Sequence, residues 1–70
     1  MEEYEVMLKK IIDNSVESGG NVEVLHMKYE AKEREAIDYL KRIGYITNLR
    51  FFPDNCFGCD ITYEGQHHFK

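Results

Sequence analysis

The apolar residues of this chain change their spacing at one point, and that change constrains the fold more than anything else in it. Before Gly44 they recur mostly at the three-to-four-residue period of a helix, and after it at close to every second residue, the period of a strand. A chain of 70 residues is therefore expected to fold as one α+β domain over residues 1–70, with helices first and a strand pair after them.

Within the helical part, Tyr4, Met7, Leu8, Ile11 and Ile12 make one face of an amphipathic helix spanning residues 2–18. Glu2, Glu3 and Glu5 suit its N-terminal dipole, and Gly19-Gly20 reads as its end. Residues 21–28 are ambiguous. Asn21 could cap a short helix with Val22 and Leu25 inward, whereas Val22 and Val24 at alternate positions suit a strand. The short helix is preferred, because the clearest helix follows at 32–43, with Ala36, Ile37, Leu40 and Ile43 as its stripe, and Tyr29–Ala31 then makes the turn of a helix-turn-helix. Beyond Gly44, Tyr45–Phe52 and Phe57–Thr62 are rich in aromatic and β-branched residues and flank Pro53-Asp54-Asn55, the signature of a β-hairpin. Thr62 can cap a last helical turn, Tyr63–Phe69.

Charge and cysteine usage narrow the function classes. A net charge of −4 argues against a strongly nucleic-acid-binding surface, which is usually basic. The acids concentrate in residues 1–18, so any contact with nucleic acid falls to the middle of the chain. No apolar run approaches a membrane span, and the acidic start is unlike a signal peptide. Cys56 and Cys59 without an export signal point to a reducing cytoplasm.

The order helix, helix-turn-helix, hairpin is that of a winged helix. Ala36-Ile37-Asp38-Tyr39-Leu40-Lys41-Arg42-Ile43-Gly44-Tyr45-Ile46 resembles the end of a recognition helix and its turn into the wing. Asp60-Ile61-Thr62-Tyr63-Glu64-Gly65 resembles the exit from the wing into a final helix. Over residues 22–69 the chain thus resembles small bacterial and prophage winged-helix proteins of the YjcQ-like kind. The resemblance implies a role in gene regulation and brings no catalytic residues. Lys32 stands where such a recognition helix usually has a Ser or Thr cap, and acids lie among the would-be contacts.

Three constellations bear on function. Glu30, Arg34, Asp38 and Arg42, four residues apart, form a ladder of alternating charge on one helix face. Lys28, Lys32, Arg34, Arg42 and Arg50 are the candidate DNA contacts, although the ladder reads more plainly as a solvated face that neutralises itself. Cys56-Phe57-Gly58-Cys59 with His67 and His68 has zinc-ligand chemistry, but no second Cys-x-x-Cys completes it. The plain reading is a strand with small apolar cysteines, and no metal or cofactor is expected. Finally, five tyrosines and four phenylalanines are many rings for this length. Phe51 and Phe52 point to opposite sides of a strand, so one is expected at the surface; Tyr4, Phe51, Phe52 and Phe57 are the candidate interface residues of a homodimer or partner contact. The histidines and serines have no nucleophilic partner and no phosphate-cradling loop is present, so an enzyme is not expected. The leading expectation is a cytoplasmic, dimeric winged-helix regulator of transcription that contacts duplex DNA. The alternative is a module, of phage origin if the resemblance holds, whose acidic first helix and aromatics bind another protein.

Overall fold

Glutamates at the helix starts decide where the helices begin. In the computed structural model, which describes residues 1–70, the Glu2 backbone N–H donates to Glu5 Oε1 (2.9 Å), and the first helix, α1, runs Glu3–Asp13. Glu30 and Glu33 repeat the arrangement (2.9 Å) ahead of a 3₁₀ turn, Ala31–Glu33, that leads into α2, Arg34–Arg42. Thr62 starts the last helix, α3 (Tyr63–His67), by accepting the Gly65 N–H (3.2 Å). The expected final cap is therefore formed by Thr62 as read.

The first helix stops earlier than its predicted end at residue 18. Asn14 and Ser15 turn their side chains back onto the carbonyls of Lys10 (2.8 Å) and Ile12 (2.7 Å), which favours a helix end over continuation. Val16–Ser18 then forms a short strand, β1, paired with β2, Asn21–Lys28. Gly19 (φ +58°) and Gly20 (φ +81°) are not a helix terminator but the two-residue loop of this hairpin, where both positions require the left-handed region.

Residues 21–28 are thus a strand, and the preferred short helix is overturned. β2 hydrogen-bonds on both of its sides, to β1 and to β4 (Cys56–Ile61), with Val24 opposite Cys59 and Met27 opposite Phe57. A helix there would satisfy its own backbone but leave the inner edge of β4 unpaired and Val24 out of the core. The only helical elements between Gly20 and Gly44 are α2 and its 3₁₀ turn, so the helix-turn-helix expected over these residues is not formed. The predicted hairpin is present as β3, Ile46–Phe52, with β4.

The result is a small α+β domain with three helices on a four-stranded antiparallel sheet of order β1-β2-β4-β3. Two bulges adjoin β4: Leu25-His26 of β2 face Gly58, and Asn48-Leu49 of β3 face Cys59, with Asn48 at φ +54°. One sheet face carries the core. Val24, Ile46, Phe57, Cys59 and Ile61 pack against Met7, Leu8 and Ile11 of α1 and Ile37 and Leu40 of α2, all at most 3% exposed. Ile43, placed in the α2 stripe by its spacing, instead lies exposed at the helix C-terminus. The register sends Glu23, Lys28, Thr47, Arg50, Phe52, Cys56 and Asp60 to the other face, which no helix covers. A shortest dimension of 19 Å is that of one helical layer on one sheet. No helix is long and apolar enough to cross a membrane.

Candidate interaction surface

The helical layer presents an acidic, aromatic groove. Tyr4 near the start of α1 and Tyr39 in α2 bring their rings to 5.0 Å between centroids at an angle of 57°. Around them Glu2, Glu3 and Glu35, with Ala36 and Arg42, line an open groove of about 570 Å³. Glu2 and Glu3 are there because α1 begins there; Glu35 and Tyr39 are one turn apart on α2. Burial, followed by the charge of Glu5, holds the Tyr4 phenol above its ordinary pKa. Arg42 is the one base of the groove, and its guanidinium lies 5.9 Å from the Tyr39 ring centre. Three carboxylates beside the partly exposed Tyr39 ring suit a cationic side chain, which gains from the carboxylate charge and from the ring quadrupole together.

The five candidate DNA contacts do not form one surface. Arg34 lies over the Phe51 ring (3.5 Å to its centre) and faces Asp38 at 3.5 Å. Arg50 is on the uncovered sheet face, where its Nη1 donates to the Asn48 carbonyl (2.7 Å). Arg42 is at the far end of α2, and Lys32 sits 3.9 Å from Glu30 in the 3₁₀ turn. Lys28 and Arg34 do share a shallow groove with Tyr29, Glu30 and Asn55. Lys10, another base of the helical layer, donates to Glu33 at 2.7 Å; that bond raises the lysine pKa and lowers the carboxyl's.

The aromatic candidates divide by burial. Phe57 is wholly buried in the core and has no surface to offer a partner, a correction to its place among the interface residues. Phe51 and Phe52 take opposite sheet faces as the alternation requires. Phe51 is half-buried against Tyr29 and Phe57, and Phe52 is half-buried against His26 on the uncovered face. Tyr39 and Glu35 were not picked out by sequence reasoning. Their signal was Tyr39's position off the Ile37–Leu40 stripe, which placed a large ring on the outer side of α2.

The zinc set read from Cys56, Cys59, His67 and His68 is dispersed. Cys59 points into the core and Cys56 to the opposite face. His67 packs on the Tyr63 ring at 4.0 Å between centroids, tilted by 38°, and His68 bonds Glu5 and Tyr45.

Comparison with known protein families, curated proteins and solved structures finds no significant match, so the functional reading rests on these residues.

Proposed function

We propose that the protein is a non-enzymatic interaction module that binds a basic segment of another protein in the groove between α1 and α2. The observation that carries this reading is the pairing of Tyr4 with Tyr39 amid Glu2, Glu3 and Glu35. A partner's Arg or Lys side chain laid on the Tyr39 face would meet carboxylates, and the net charge of −4 draws such a partner in over a longer range. Arg42 at the groove end would repel a cation placed there and so sets which end the segment enters.

The test is fluorescence anisotropy with a short labelled peptide alternating arginine and glycine. Binding at about 50 mM salt that fades as salt rises is expected. Tyr39→Ala and Glu35→Lys should each weaken it severalfold, while Glu64→Lys in α3 leaves it unchanged. Equal weakening by Glu64→Lys would mean that net charge alone attracts the peptide, and the groove reading would fall.

A second reading keeps the winged helix, with α2 as the recognition helix and β3–β4 as the wing, two copies acting as a dimer on duplex DNA. The immediate succession of α2 and the β3–β4 hairpin favours it, as does the groove shared by Lys28 and Arg34. It stands second because most of its bases already have partners within the chain and no second helix precedes α2. A duplex shifted at about 50 mM salt and released by Arg34→Glu, with no peptide binding, would reverse the order of the two readings.

A further inference from the structure

On the uncovered sheet face, away from the α1–α2 groove, three metal-ligating side chains from two separate segments converge. His26 comes from the bulge of β2, Asp54 from the β3–β4 turn, and Cys56 from the first position of β4. We propose that His26, Asp54 and Cys56 bind one divalent transition-metal ion, and that zinc is the ion this donor set selects.

The geometry is close to what a tetrahedral ion needs. His26 Nε2 lies 3.1 Å from Asp54 Oδ2, and the three donor atoms all lie within 4.8 Å of one another. Some point therefore lies within about 2.8 Å of all three donors, against the ~2.0–2.3 Å of zinc–ligand bonds, so side-chain shifts under about 1 Å complete the contact. The backbone explains the convergence. The extra residue of the bulge turns His26 onto the uncovered face, where uninterrupted alternation from Val24 would send it inward. Asn55, at φ +61°, folds the turn so that Asp54 comes back over Cys56. The Phe52 ring, 5.0 Å from the imidazole, backs it from the side.

The chemistry matches as well. Imidazole and thiolate are donors that zinc takes readily, and a carboxylate beside them is common in its sites. One neutral and two anionic ligands cancel the ion's double charge, so the bound site has no net charge. The fourth position is open to water. Burial and then Asp54 raise the Cys56 thiol above its ordinary pKa, with Lys28 opposing, so without a bound ion it is protonated at neutral pH. Binding therefore displaces that proton to solvent: the S–H bond breaks, a metal–sulfur bond forms, and no redox change occurs. By joining β2 to the β3–β4 turn, the ion would also clip the two segments together.

The test uses the reduced full-length protein and cobalt(II) as a spectroscopic stand-in for zinc. One equivalent of cobalt should produce a thiolate-to-metal charge-transfer band, which zinc then displaces. Cys56→Ser should abolish the band, and His26→Ala and the exposed-site variant Asp54→Asn should each weaken zinc binding by more than about tenfold. Calorimetry in two buffers should show a proton released on binding, with affinity higher at pH 8 than at pH 6. His67→Ala should change nothing. The proposal is overturned if no charge-transfer band appears, if the band persists in Cys56→Ser with the fold intact by circular dichroism, or if His67→Ala removes it.

Discussion

His68 Nε2 lies 2.8 Å from Glu5 Oε2, closing a contact between residues 63 positions apart. Its Nδ1 is 3.0 Å from the Tyr45 hydroxyl, so one imidazole ties α1, the residue before β3 and the segment after α3 together. An Nε2–H donated to the carboxylate leaves Nδ1 of the neutral ring to accept the tyrosine proton. Both His68 and Glu5 are about one-fifth exposed, 19% and 22% at their side chains, which shields the pair from competing water.

Acid should unfold the protein partly through this contact. The Glu2 backbone N–H, and then His68, hold the Glu5 carboxyl below its ordinary pKa, and Lys10 does the same to Glu33. A carboxyl whose folded pKa is depressed contributes stability that is complete above its unfolded value, about 4.3, and lost as pH falls through the folded one. Glu5→Gln should therefore lower the Tm at pH 7 and converge on the parent protein near pH 3. Thermal melts by circular dichroism across that range check it.

Removing the imidazole should loosen the chain ends without unfolding the sheet. His68→Ala takes away two part-buried hydrogen bonds, together about 1–2 kcal/mol, or a Tm loss of roughly 4–15 °C for a domain of this size. Amide exchange should then quicken in residues 62–70 before it does in β4.

Phe57→Ala should leave the protein largely unfolded at 37 °C. The ring is fully buried and touches Tyr29 and Phe51 edge-on or tilted. Its loss costs about 3–5 kcal/mol, the whole net stability that a core of this size supplies. Denaturant titration of the variant, where any folded fraction remains, measures the loss.

The two cysteines should differ in reactivity. Desolvation pushes the Cys59 thiol up to about 12, and the core encloses it. Iodoacetamide at pH 8 should modify Cys56 slowly and Cys59 only after denaturant is added, as read by mass spectrometry of peptides.

Gly65→Ala tests the seam where α3 meets β3. A Cβ at residue 65 would run into the Tyr45 carbonyl oxygen and press on Ile61 Cγ2 at 3.1 Å. The carbonyl cannot yield without moving the chain, so a loss of about 2 kcal/mol or more is expected in denaturant titration.

Residues whose partners lie nearby in sequence were legible: the α1 and α2 stripes, the β3–β4 hairpin and the Thr62 cap all follow from spacing and turn chemistry. Asn21–Lys28 was not, because its two valines fit either period, and what decides is a pair of neighbouring strands that no local pattern shows. Gly19-Gly20 carried the hairpin signal, but a helix running up to it made the same dipeptide look like a terminator. Of the α1–α2 groove, only Tyr4 and the acidity of the first helix could be read in advance. His26 and Asp54 gave no hint of each other, since a bulge and a reverse turn bring them together.

The sheet order has a consequence for synthesis. Of the two inner strands β4 is made later, after β3 as well, and it supplies Phe57, Cys59 and Ile61. A nascent chain halted before Cys56 at the ribosome has both long helices but lacks three of the five sheet residues that Leu8, Ile11 and Leu40 close upon. The sheet therefore cannot close until β4 has emerged, because β2 and β3 meet only through it.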